Sequence, residues 1–109
     1  MIINIMCREN TTDLSIYFND LHMSDHQYGT ITYRLDKQKA RRKALVESTS
    51  NKHLGLWGGG KSIPFLKSML THDKLLIEAT PYNEGSVLAT FNIRGMKEAI
   101  EPLRASCNW

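Results

Sequence analysis

The residues best placed by type and spacing to do chemistry lie between Gly55 and Ser62. There Gly55-Leu56-Trp57-Gly58-Gly59-Gly60-Lys61-Ser62 fits the pattern G-x-x-x-x-G-K-S, in which backbone amides, Lys and Ser cradle the phosphates and magnesium of a nucleotide. That chemistry needs a buried strand immediately before the loop, a helix at its end and a later apolar strand ending in Asp. Here Ser48 to His53 is polar, and Leu75-Leu76-Ile77 is followed by Glu78. A parallel nucleotide-binding sheet also needs several βα units, for which the chain has no room. The glycines therefore read as a flexible loop entering a short helix that begins near Ile63-Pro64, and no cofactor is expected.

Other candidates are weaker. His22, Asp25 and His26 have ligand-type side chains, but no third His or Cys lies nearby in sequence, and a solvated polar loop explains them without a metal. His53 and His72 are isolated and read as surface or satisfied polar residues. Ser62 with His72 would be a nucleophile and base only if distant positions converged, and residue type alone does not argue for that. The chain is expected not to be an enzyme. Lys37, Lys39, Arg41, Arg42 and Lys43 form a basic patch able to contact phosphates. No aromatic residues are interleaved with these charges as a single-strand binder requires. The run reads as a solvated turn or exposed edge, and nucleic acid is not the expected partner.

The elements that must position these residues are mostly strands. Ile2 to Cys7 alternates, Arg8 to Asp13 is turn-prone, and Leu14, Ile16 and Phe18 alternate again, which predicts a hairpin. Thr30 to Leu35 is a third strand, and Ala44 to Ser48 a fourth paired back onto it. Lys74 to Thr80 and Ser86 to Ile93 flank Pro81-Tyr82-Asn83-Glu84-Gly85, whose Pro and Gly suit a hairpin connection. After Ile93 the period changes: Met96, Ala99, Ile100, Leu103 and Cys107 share a helical face. Pro102 sits inside that helix and predicts a bent or two-piece element. Phe65, Leu66, Met69 and Leu70 give the helix after Pro64 an inward face. The expected fold is α+β and mainly β. An antiparallel sheet of about six strands curls into a sandwich-like domain, with one short helix and a C-terminal helix packed on it.

A chain of 109 residues with 41% hydrophobic and 23% charged residues is one ordinary globular domain, residues 1–109. The formal charge of +3 comes nearly all from the basic patch. Met1 to Cys7 has no basic region and too short an apolar stretch for a signal peptide. Asn4 and Met6 do not suit a lipoprotein site at Cys7, and no segment approaches a membrane span. Cys7 and Cys107 either bridge the two ends of the chain or stay as buried thiols, and the residues alone leave both open.

The order of motifs resembles the VasI/TagO family of type VI secretion-associated proteins, specifically its C-terminal domain. The matching residues are Cys7-Arg8-Glu9-Asn10-Thr11-Thr12-Asp13-Leu14, Thr32-Tyr33-Arg34-Leu35-Asp36, Ile63 to Leu70, and Ala89 to Gly95. The ending Ala99-Ile100-Glu101-Pro102-Leu103, followed by Cys107-Asn108-Trp109, is the most specific part. The resemblance implies an exported, non-enzymatic protein of a contractile secretion apparatus, with prophage-encoded copies in the family's range. It further implies pairing of Cys7 with Cys107. The expected function is protein binding in the periplasm, with Arg34, Trp57 and Tyr82 as contact residues. Family members carry an N-terminal extension with an export signal, whereas this chain begins just before Cys7. The alternative is a small cytoplasmic phage or mobile-element protein that inhibits a host factor by binding it.

Overall fold

Alternating apolar residues do most of the folding, and turn chemistry sets the register. The computed structural model describes residues 1–18, 28–48, 52–80 and 85–109. Strands β1 (Ile2–Arg8) and β2 (Thr11–Tyr17) pair in antiparallel register from Ile2 opposite Tyr17 to Arg8 opposite Thr11. Their two-residue turn places Glu9 and Asn10 at φ 50° and 63°. Positive φ at both central residues is what a tight hairpin needs to match the twist of its strands.

Five more strands complete the sheet: β3 (Tyr28–Leu35), β4 (Arg41–Glu47), β5 (His53–Leu56), β6 (Lys74–Ala79) and β7 (Val87–Asn92). The order is β1-β2-β5-β4-β3-β6-β7, every pairing is antiparallel, and β1 and β7 are the edges. The fold is thus mainly antiparallel β with short helices, as expected, in one continuous sheet that does not close into a barrel. The core lies on one face, where Leu14 opposes Leu56, Tyr33 opposes Ile77 and Leu75 opposes Phe91. Helix α1 (Gly59–Met69) packs there against β2, burying Ser62, Phe65, Leu66 and Met69. Each large apolar side chain buried this way stabilises the fold by about 1.5 to 3 kcal/mol relative to exposure.

Three local expectations are corrected. Residues His53–Leu56 form an interior strand between β2 and β4 rather than part of a loop. Its inward residues, Leu54 and Leu56, are buried, and Gly55 separates them. A Cβ on Gly55 would lie 2.4 Å from Trp57 Cζ2. The glycine is therefore needed where the indole folds back over the strand. Strand β4 starts at Arg41, so three of the basic residues belong to the sheet. Helix α1 starts at Gly59, which leaves Pro64 inside it rather than in its first turn. The bond Pro64 cannot donate would go to the carbonyl of Gly60, itself exposed to water.

After β7 the chain forms α2 (Met96–Ala99) and α3 (Glu101–Cys107), the two-piece helix expected. The break is at Ile100, with Pro102 in the first turn of α3, where its missing N–H leaves no bond unmade. Helix α3 packs on β1, so the C-terminal segment leaves one edge strand and reaches the other. Among the described residues no helix is long and apolar enough to cross a membrane.

Leu66→Ala should lower the unfolding free energy in urea by about 2 to 5 kcal/mol, because Leu66 is fully buried between helix and sheet. Leu88→Ala, on the open face of β7, should stay within about 0.5 kcal/mol of the parent. Similar losses at the two sites would contradict this placement of the core.

Candidate functional site

The last three residues are each fastened to the β1–β2 hairpin. Cys107, at the end of α3, is disulfide-bonded to Cys7 of β1 with a Cα–Cα distance of 5.9 Å, ordinary for such a bond. Asn108 adopts the left-handed conformation that stops the helix, and its Nδ2 donates to Asn10 Oδ1 at 2.8 Å. Asn10 is itself a left-handed residue of the hairpin turn. Trp109 Nε1 donates to Thr12 Oγ1 at 2.8 Å. The Arg104 guanidinium lies 4.8 Å from the centre of the Trp109 ring, and its Nε donates to the Trp109 carbonyl at 3.2 Å. In the sequence only the two cysteines stand out here as a possible link between the ends of the chain. The signal for the rest was the contiguous Cys-Asn-Trp ending.

The glycine loop meets two of the three local conditions for a phosphate cradle: a strand precedes it and a helix follows at Gly59. The site itself is already taken. Gly58, at φ 107°, donates its N–H to Asp13 Oδ1 at 2.7 Å, and the buried Ser62 hydroxyl donates to the Thr12 carbonyl at 2.6 Å. A carboxylate with weak support from Arg8 Nη2 at 3.4 Å therefore sits at the head of α1. It would repel a phosphate. Both sheet neighbours of β5 are antiparallel, and Lys61 is exposed.

Of the proposed contact residues, Trp57 is 38% exposed, and its Nε1 donates to the Val46 carbonyl at 3.1 Å. Arg34 is exposed on β3, opposite Leu76. Alternation along β4 and β3 puts Arg34 and the Gly55–Trp57 stack on the same face of the sheet, with β4 between their strands. Tyr82 lies outside the described residues, as do His22, Asp25 and His26.

The basic patch does not present one surface. Lys37 and Lys39 lie in the β3–β4 connection, and Arg41, Arg42 and Lys43 oppose Tyr33, Thr32 and Ile31 on β3. Alternation turns Arg42 to one face and Arg41 and Lys43 to the other. Lys43 Nζ sits 5.9 Å from the centre of the Phe65 ring, on the α1 side.

A polar corner joins the β3–β4 turn to the entry of β6. Asp36 Oδ1 accepts N–H bonds from Asp73 at 3.0 Å and Lys74 at 2.9 Å, and Oδ2 lies 2.9 Å from His72 Nδ1. The His72 hydrogen bond, followed by the Lys74 amide, holds the Asp36 carboxyl below its ordinary pKa. His72 is thus a satisfied polar residue. It lies beyond the C-terminal end of α1, whereas Ser62 sits in its first turns with its hydroxyl given to Thr12, so the two do not form a catalytic pair. Among the described residues no group of three His, Cys, Asp or Glu side chains is placed to hold a metal.

A family model described as type VI secretion system VasI, EvfG matches residues 1–109, the whole chain. The chain belongs to the VasI family. No curated protein and no solved structure matches it. The segments that carried the VasI resemblance fall on the β1–β2 hairpin, the end of β3, helix α1, the exit from β7 and the C-terminal helices. The first and last of these are the two halves of the fastening at Cys7, Asn10 and Thr12.

Cys7→Ser with Cys107→Ser should cost about 2 to 5 kcal/mol in urea unfolding, since the bond constrains nearly the whole unfolded chain. An unchanged midpoint would contradict that role. Asp36 supplies a separate prediction. Its pKa is lowered in the fold, so its stabilisation is present above the unfolded value and is lost as pH falls through the folded one. Asp36→Asn should therefore flatten the decline of stability below about pH 4 while lowering stability at neutral pH. A variant with the parent's acid profile would contradict this.

Proposed function

We propose that this VasI-family domain is a non-enzymatic accessory of the type VI secretion apparatus that acts in the periplasm by binding another protein. The observation that carries the compartment is the Cys7–Cys107 disulfide, since such bonds form and persist in oxidising environments and are rare in the cytosol. Family membership over residues 1–109 supports the link to secretion. The most reactive residue types serve the fold: Ser62 bonds the Thr12 carbonyl, His72 bonds Asp36, and both cysteines are joined. That use supports binding rather than catalysis.

The sheet face bearing Trp57 and Arg34 is the proposed contact surface. The indole is held by Val46 and Gly55 yet stays over a third exposed, and a fixed, partly exposed Trp and an exposed Arg further along the same face are residue types enriched at interface anchors.

In a strain lacking its own copy, an exported form of the domain should restore secretion by the apparatus, and a form confined to the cytoplasm should not. Trp57→Ala with Arg34→Ala, in the exported form, should reduce rescue at least tenfold while the domain still melts within a few degrees of the parent. Rescue by the cytoplasmic form would overturn the compartment. Full rescue by the double variant would overturn the surface.

A further inference from the structure

At the corner between the β3–β4 turn and the C-terminal end of α1 is a cleft of about 110 Å³, walled by Tyr33, Gln38, Lys39, Arg41, Ser68 and His72. Its walls carry two cations, and the Asp36 carboxylate lies behind His72. Lys39 and Arg41 are exposed, and neither has a carboxylate partner among the described residues. Asp36 is the acid beside His72 at this corner, and its two oxygens already take the amides of Asp73 and Lys74 and the His72 ring. Arg41 and Lys43 lie two residues apart on the same face of β4, so like charges repel here until an anion is present. The fold holds two unneutralised cations against one small concavity.

Size and donor count narrow the occupant. The cleft's volume of about 110 Å³ is far below the ~300 to 1,000 Å³ of a pocket for a drug-sized ligand. One compact group fits, and a whole nucleotide does not. The Arg41 fork supplies paired N–H donors, Lys39 three more, and Tyr33 and Gln38 an O–H and an NH₂. Ser68 is excluded as a donor because its hydroxyl goes to the Phe65 carbonyl at 2.6 Å. That many donors exceeds what the two oxygens of a carboxylate engage, and two cations match the charge of a dianion. An Arg fork takes carboxylate or phosphate in bidentate geometry, so charge and donor number decide for phosphate.

We propose that this cleft is a phosphate-binding site in which Arg41 forms the bidentate contact and Lys39 supplies the second positive charge. The site is independent of the Trp57 face and lies at the opposite end of α1 from the glycine loop. It uses only the part of the basic patch that the fold turns to the α1 side, and Arg42 takes no part.

The test is calorimetric titration of the oxidised domain with inorganic phosphate at constant ionic strength, with acetate as competitor. One saturable site is expected, weakened at least tenfold in Arg41→Gln and in Lys39→Gln, within twofold of the parent in Arg42→Gln, and indifferent to acetate. These residues are exposed, so each variant should keep the parent's melting temperature. Glycerol phosphate binding as tightly as inorganic phosphate would assign the site to a phosphate carried on a larger molecule, and its rejection would assign it to the free ion. Non-saturable binding would overturn the proposal. So would a loss in Arg42→Gln equal to that in Arg41→Gln, or competition by acetate as strong as by phosphate.

Discussion

Thr12 holds two distant parts of the chain at one point of β2. Its hydroxyl accepts the Trp109 indole N–H, and its carbonyl accepts the Ser62 hydroxyl at the start of α1. The next residue, Asp13, takes the amide of Gly58. The C-terminal tail, the helix on the core face and the hairpin thus share one junction, and the disulfide five residues earlier closes it covalently. A single antiparallel sheet with two edges cannot protect its core alone. Here the chain leaves the β7 edge and ends fastened to the β1 edge. Each neutral hydrogen bond adds about 0.5 to 1.5 kcal/mol, and closing so long a loop adds roughly 4 to 5 kcal/mol in the chain-entropy view. The covalent bond is the largest single term, and the polar contacts around it set the geometry.

The same junction gives the best sequence motif a geometry unlike the one its pattern names. A phosphate loop works because amides at a helix N-terminus and a Lys meet a negative group. In this fold the negative group is Asp13, built into the neighbouring strand, and the motif's Ser is committed to the backbone of Thr12. Pattern and local order agree with a phosphate loop, while electrostatics opposes it. Lys39 and Arg41 lie at the other end of the helix and face a small concavity, with no acid partner among the described residues.

Much of the architecture was legible in the sequence, and the failures share a physical cause. The β1–β2 and β6–β7 pairs announce themselves because Leu14, Ile16 and Phe18 and then Val87, Ala89, Phe91 and Ile93 alternate with other residues, and Leu75-Leu76-Ile77 is a short apolar run before a Pro and Gly turn signal. The break near Pro102 follows from proline's missing donor. Strand β5 was hidden because it has only four residues, two of them buried leucines around a glycine. A glycine reads as a loop unless the Trp57 ring that fills its empty face is known to be there. The start of β4 was hidden for a related reason. Register turns Arg41 and Lys43 to the core side, where Lys43 Nζ lies 5.9 Å from the centre of the Phe65 ring, a placement that charge patterning does not reveal. The roles of Asn10, Thr12, Asn108 and Trp109 depend on residues nearly the whole chain apart.

The account turns on Cys7 and Cys107 being joined in the working protein. The direct measurement is the intact mass of the protein from its native host, with thiols alkylated at lysis, before and after reduction. The account predicts no alkylation before reduction and two added groups after it, as a bonded pair in an oxidising compartment requires. Two alkylated thiols without reduction would contradict it, leaving the tail held by hydrogen bonds alone and the periplasmic reading without support.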